Sequence, residues 1–567
     1  MYEFVQGLIR EVAYGALAKR DRRARHLAAA RFFESLDDQE LAGALAAHYI
    51  AAYRAAPDGP EGDAVAAQAR VSLRAAADRA EALGVARQAV TFLEQAMEVT
   101  TDDADLADLL DRAGEAATTA ARADLAEQFL TRATEIRERL GDRITLAKTI
   151  GLHASALTEG RRREAAVALL QPAVDSLGDL SDHPVGIQLT QLLGRNLLLT
   201  SDYAGSMAAT DRALAAAERS GLVRIAAEAL ATKGMVAMYE GRQWEARALL
   251  EGCRLLAEEH NLPTIELRAM DSLAGTIAHD DVAAALRLER SAIALARELG
   301  RRTSELITLG NAAEDARRTG EWAWAISELE TAIQLDIDDG TRLTLRGALE
   351  FYRLLQGRSH PGEFEELLAD LKHLDDHDVA AGSFDLRAYA ALARGNWREA
   401  HDLWLQIVGQ SDLNMPYVLP RAAHAAVMAG DARAARSVIE QLDAIGTRGR
   451  AVDADRAAVK AGIAALDGDE SAAVAGYRTA ITAWRELGMP FDEALGILSA
   501  VTRLGTSTPA EWIETARATF GRLEAAPLLA LLDAAVEARP SGSANGRDGD
   551  LGAAPAPALA EGAPAAT

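Results

Sequence analysis

The chain has 567 residues, 49% of them hydrophobic and 5% aromatic, with a formal net charge of −25. So large an acidic excess keeps a surface soluble but excludes a broad nucleic-acid face, which needs clustered Lys and Arg. One cysteine excludes a disulfide framework and a cysteine-rich zinc site. No apolar run reaches the roughly 18 residues of a membrane span, and the N-terminus lacks the charged, apolar, small order of a signal peptide. The expectation is a cytoplasmic protein, and its Ala-rich, Arg-over-Lys composition is common in GC-rich bacterial genomes.

Residues 1–60 do not follow the pattern of the rest. They read as three helices: an apolar and aromatic one, an Arg-rich one carrying Lys19, Arg20, Arg22, Arg23, Arg25 and Arg31, and LAGALAAHYIAAYRAA. Pro57-Asp58-Gly59-Pro60 closes the segment. Acidic Glu3, Glu11, Asp21 and Glu34 interrupt the basic run. It reads as a contact with another module, a solvated helix face or a nucleic-acid grip.

From residue 61 to 536 a turn recurs at about 37 to 41 residues. A Gly or its stand-in is followed five residues later by Ala and usually four beyond that by Leu or an aromatic. The copies are Gly84-Ala89-Leu93, Gly160-Ala165-Leu169, Gly241-Ala246-Leu250, Gly320-Ala325-Leu329, Gly395-Ala400-Trp404, Gly430-Ala435-Ile439 and Gly468-Ala473-Tyr477, with weaker ones from Ala121, Ser201 and His279. Seven residues before the turn the residue is small, as at Ala77, Gly114, Gly194, Gly234 and Ala313, because two helices cross closely there. A helical hairpin cannot bury its own apolar face, so self-similarity at this period means stacked hairpins. The predicted fold is all-α: a tetratricopeptide-like α-solenoid of about ten helical hairpins, preceded by a short non-repeat helical segment. Residues 537–567 have the Pro-rich and Gly-rich make-up of a disordered tail.

The repeat sorts the chemistry-bearing residues. Cys253 falls twelve residues after Gly241, in a slot filled elsewhere by Ala or Ser, and reads as a small core residue. His373 and His377 are spaced for one helix face but have no convergent third ligand. His153 stands at the close-crossing position, unless the register slips by one and puts Ala154 there. If the first helix of each hairpin lines the concave side, the positions six, three and two residues before each turn face inward. That selects Arg195, Met235, Met238, Tyr239, Glu314, Arg317, Arg318, Tyr389, His424 and Met428 as a ligand- or protein-binding groove. Met adapts to irregular ligands, and Tyr and Arg anchor interfaces.

The phrase formed by Phe4, Leu8, Ile9, Arg10, Glu11, Val12, Ala13 and Tyr14, followed by the Arg-rich helix, His26, and then His48-Tyr49, resembles the end of the winged-helix region of STAND-type ATPases. The likeness is greatest to those fused to class III adenylate/guanylate cyclase domains. RELGMPFDEALGILSAVTRLG (485–505) and ARATFGRLEAAPLLALLDAA are similar to the same proteins, so the resemblance covers most of residues 1–536. It implies that Arg10, Arg22, Arg23 and Arg25 form an interdomain contact. No G-x-x-x-x-G-K-[ST] phosphate loop and no cyclase-like acidic pair occur in the chain.

The expectation is therefore a non-catalytic scaffold or sensor arm with no catalytic residue, metal or cofactor. Its partner would be a protein, a peptide or a small effector, and it would regulate a signalling ATPase or cyclase in trans. Two other readings remain: a fragment whose catalytic modules lie upstream, and a transcriptional regulator arm. Neither nucleic acid nor membrane is the expected partner.

Overall fold

The computed structural model describes residues 14–36, 38–56, 59–120, 122–335, 337–372, 377–408 and 415–538. Among them are twenty-seven α-helices and no strand, and successive helices pack as hairpins. The fold is the all-α, tetratricopeptide-like array that the spacing predicts. Contacts divide it into two compact units, residues 1–233 and 234–567, so the helices of the first 60 residues belong to the same unit as the hairpins that follow.

Helix starts are specified locally. Asp102, Asp142, Asp202, Asp281, Asp338, Asp431 and Asp469 each accept a hydrogen bond from a backbone N–H of the first turn they precede. These groups would otherwise have no intrahelical partner. Proline opens Pro60–Ala82, Pro184–Leu199, Pro263–Ala278 and Pro490–Leu504, where its missing N–H costs nothing. At the hairpin turns Gly84 and Gly320 have φ of 70° and 75°, a left-handed backbone that Gly adopts without strain.

One hairpin departs from the expected register. Gly160 is not left-handed; the next residue, Arg161, is, with φ 59°. Counted from Arg161, the crossing, fifth and ninth positions fall on Ala154, Ala166 and Leu170, all fully buried. Ala154, not His153, therefore occupies the close crossing. His153 lies beside it, buried, with neither ring nitrogen bonded to a described residue, and burial lowers its pKa.

In unit 1, a Cβ on Gly114 would collide with the Leu130 side chain. That clash is the physical reason for a small residue seven positions before the turn. In unit 2, a Cβ on Gly234 would lie 2.7 Å from Leu250 Cγ. Cys253 is fully buried among these core positions, as its slot implies. The hairpin at Gly357 is irregular: Leu367, Leu368 and Leu371 fill its core. His373, Asp375 and Asp376 lie outside the described residues, as does the side chain of His377.

Unit 2 winds until late helices lie against early ones. Gly320 packs on Pro490 and Gly357 on Pro527, with 3.1 and 3.3 Å from a notional Cβ to the proline ring. The Arg450 N–H donates to Asp280 Oδ1 at 3.2 Å across 170 residues, the separation that also relates the two Gly–Pro pairs. His279 carbonyl oxygen accepts from the N–H groups of Ala451 and Val452 at 3.2 and 3.4 Å. Hairpin turns of one winding thus sit on helix starts of the next.

Candidate functional site

The inward-facing positions are occupied very differently in the two units. In unit 1, Arg195 is half-buried on Pro184–Leu199. Elsewhere in unit 1, polar side chains bond to their counterparts one hairpin away. Thr149 Oγ1 donates to Asp111 Oδ1 at 2.8 Å, Thr158 Oγ1 to Asn196 Oδ1 at 2.8 Å, and Gln188 Nε2 to Glu228 Oε2 at 3.0 Å. Burial raises the pKa of Asp111 even though Thr149 and Arg137 oppose the shift.

In unit 2, Met235, Met238 and Tyr239 are half-buried at the end of Val223–Tyr239. Glu314, Arg317, Arg318 and Tyr389 are brought together, but as an interior ion network and not as an open groove. Arg317 Nη2 donates to Glu314 Oε1 at 2.5 Å, and Arg421 reaches the same oxygen. Arg421 Nη1 also lies 3.5 Å from Asp385 Oδ1, which accepts from Trp404 Nε1 at 2.7 Å. Tyr389 is buried, with its ring 5.9 Å from the Arg317 guanidinium and 5.6 Å from that of Arg421. Arg318 pairs with Asp455 at 2.9 Å and Asp492 at 3.2 Å, and Trp484 Nε1 donates to Asp455 at 3.0 Å.

The groups that meet these side chains belong to the same unit's later helices. Arg317 is 4% exposed, which leaves its guanidinium to Glu314 and to the rings of Phe351, Tyr389 and Phe491. Met428 is buried, and its carbonyl accepts from Arg503 Nη2 at 2.6 Å. His424 is half-buried, its Nε2 has no partner among the described residues, and burial pushes its pKa down to about 4.

The electrostatics follow from burial opposed by pairing. Glu314 is held down at about 2 because Arg317 and Arg421 outweigh the burial that acts the other way. Neighbouring Asp315 is pushed up to about 8, first by burial and then by the charge of Glu314. His279, under the Tyr417 ring at 5.1 Å, is lowered to about 4 by burial. What this arrangement does chemically is join one winding to the next. Sequence reading missed Arg421, Asp385, Asp455 and Asp492 because they lie between 107 and 174 residues, or one hairpin, from their partners. It also missed Trp244, which is 84% exposed at the start of Gln243–Glu259.

Of the expected interdomain residues, Arg10 lies outside the described residues. The Arg22 guanidinium stands 5.4 Å over the Tyr14 ring, Arg23 pairs with Glu61 at 2.8 Å, and Arg25 is exposed. Phe4, Leu8, Ile9, Glu11, Val12 and Ala13 also lie outside the described residues, whereas Tyr14, His26 and His48 converge: Tyr14 Oη lies 2.8 Å from His26 Nε2, and His26 Nδ1 lies 2.9 Å from His48 Nδ1. One of the facing Nδ1 atoms must be unprotonated to accept. Burial lowers both pKa values, which suits that state. Phe33 stacks on His48, and Tyr49 Oη donates to Glu34 at 2.6 Å.

No family model and no curated protein matches the chain. Among solved structures, it is similar to a Rap protein complexed with competence and sporulation factor, at 14% identity over 69% of this chain and 99% of that one, with a TM-score of 0.36. It is also similar to the APC/C hetero-tetramer Cut9-Hcn1, at 11% identity over 83% and 96% of the two chains, with a TM-score of 0.41. At these values neither likeness informs the function.

Proposed function

We propose that the chain is a non-catalytic helical-repeat scaffold that binds a protein or peptide and, in keeping with the resemblance of its first 60 residues, regulates a STAND-type ATPase or associated cyclase. The observation that supports the reading is the repeat itself, an array of stacked helical hairpins that leaves side chains such as Arg25 and Trp244 exposed on its surface. Solenoids of this kind bend by small rotations between neighbours, so a partner that prefers one curvature shifts the orientation of whatever the ends contact.

Within this reading Arg195 offers a half-buried cationic side chain on unit 1, and Trp244 offers an exposed aromatic anchor on unit 2. Glu314, Arg317 and Arg318 act as internal ties of unit 2, and Arg25, exposed like Lys19, Arg20 and Arg31, is open for a module contact. Peptides selected by display against the full chain test the reading. Replacement of Arg195 by Glu or Trp244 by Ala is expected to weaken capture about tenfold each, with unchanged helicity. Equal capture by both variants would remove these two residues from the binding surface. Addition of the chain to a purified STAND-type ATPase should change its rate of ATP hydrolysis; no change at saturating chain would reject the regulatory part.

A further inference from the structure

In regular hairpins of unit 2 the fifth and ninth positions after the turn fill the core: Ala246 and Leu250, Ala325 and Leu329, and Ala400 and Trp404 are all buried. The hairpin at Gly357 breaks this rule. Its fifth and ninth positions are Gly362 and Glu366, both exposed, and the core is filled by Leu367, Leu368 and Leu371 instead. Helix Pro361–Lys372 is thus rotated from the setting of the repeat, and a cavity of about 500 Å³ is lined by it, by helix His377–Ala393 and by Glu399. That volume falls within the roughly 300–1,000 Å³ of small-molecule sites.

One stripe of each helix builds the cavity. Glu365, Leu368, Ala369 and Lys372 share a face of the first, and Arg387, Ala390 and Arg394 share a face of the second. On the second helix this face is opposite to that of Asp385 and Tyr389, so the cavity is separate from the ion network. Leu368 and Ala390 are buried and form an apolar floor, with half-buried Phe364 beside them. The mouth is ringed by Glu365, Lys372, Arg387 and Arg394, all exposed. Arg394 lies 3.4 Å from Glu399, which also accepts from Asn396 Nδ2 at 2.7 Å. Lys372 and Arg387 have no ion pair among the described residues. Other surface arginines of unit 2 find carboxylates, as Arg358 does in Glu524, Arg436 in Asp467 and Arg450 in Asp280. Glu365 alone opposes the two free cations, so in a chain of net charge −25 the mouth carries an excess of positive charge.

We propose that this cavity binds an amphiphilic monoanion, an apolar group ending in a carboxylate. Lys372 and Arg387 donate to the carboxylate at the mouth, and the apolar part lies on Leu368, Ala390 and Phe364. The planar fork of an arginine matches a carboxylate, and charge-assisted bonds of this kind are roughly twice as strong as neutral ones. Covering the apolar floor adds a hydrophobic gain. Glu365 limits the charge, since a second anionic group on the ligand would meet it with like sign. A free carboxylic acid and the C-terminal residue of a chain offer this same chemistry. The site goes beyond the scaffold reading and does not rest on it, because a small acid fills it with no partner protein present.

Calorimetric titration of the full chain tests the proposal with two probes, phenylbutyrate and the acetylated dipeptide Gly-Phe with a free C-terminal carboxylate. The carboxamide of each serves as its neutral control. At least one acid is expected to bind, and its amide should bind at least about tenfold more weakly. Lys372→Gln and Arg387→Gln should each weaken the better probe about tenfold. Neither change should move the melting temperature of the unliganded chain, since neither cation has an ion pair to lose. Ala369→Phe, at an exposed position of the lining, should fill the cavity and weaken the same probe. Tighter binding of phenylbutyrate identifies a free acid, and tighter binding of the dipeptide identifies a chain terminus. Binding by neither acid, equal binding of acid and amide, or unchanged binding in both Gln variants would overturn the proposal.

Discussion

In the first unit, inward polar groups bond across 38 to 40 residues, as between Thr149 and Asp111, Thr158 and Asn196, or Gln188 and Glu228. In the second, comparable groups bond across 107, 137 and 174 residues, through Arg421 to Glu314 and Arg318 to Asp455 and Asp492. One repeat grammar therefore yields two mechanical outcomes. Where each hairpin is tied only to its neighbours, stability is a sum of adjacent interfaces and the stack can flex. Where ties jump a winding, the intervening hairpins lose that freedom together, and folding must close long loops before the contacts form.

The comparison is broken or sharpened most forcefully at Arg318. Arg318→Met leaves Asp455 and Asp492 buried without their cation, and the expected cost is about 3–5 kcal/mol. Hydrogen exchange resolved along the chain should quicken throughout residues 234–538 and stay unchanged in 14–233. Thr149→Val, which removes one hydrogen bond from buried Asp111, should cost about 1–3 kcal/mol and quicken exchange only in adjoining hairpins. Equal spread of the two effects would erase the distinction between the units.

An intermediate effect is expected from pH. An unfolded Asp loses its proton near its ordinary value of 3.8, whereas Asp315 holds its own up to about 8. The folded chain binds the extra proton in that window, so this group's contribution to stability falls as pH rises through it. The opposite limb comes from His279 and His424, which are lowered from 6.5 to about 4. There the unfolded chain binds the extra protons, and stability falls as pH drops from 6.5 towards 4. Urea midpoints measured against pH should lose the alkaline decline in Asp315→Asn and part of the acid decline in His279→Gln. An unaltered profile in both would mean that neither group is held as described.

The smallest effect belongs to the rim. Arg436 pairs with Asp467, but each side chain is nearly half exposed. Arg436→Ala should leave a denaturation curve essentially where it was, because an exposed ion pair is screened by solvent. A larger loss would show that surface ties also couple hairpins in the second unit.

The hairpins and their close crossings were legible because each is set by spacing within about 20 residues of a turn. The partners of Glu314 and Arg318 on other windings were not. Winding accumulates from small rotations between neighbours, and no local pattern records the sum. The slip at Arg161 was among the readings the spacing offered, with Ala154 set against His153 at the crossing; the adjacent Gly160 kept both open, since a left-handed Arg is the costlier choice.

Tandem arrays ordinarily lengthen and shorten by whole repeats during evolution, because each new unit needs only its two neighbours. The constant offset that seats Gly320 on Pro490, Asp280 on Arg450 and Gly357 on Pro527 withdraws that freedom from the second unit. One duplicated hairpin between Gly357 and Arg450 would carry every later helix past the turn that receives it. A gained or lost hairpin there would unseat all three pairs at once, whereas in the first unit it would alter only the two interfaces beside it.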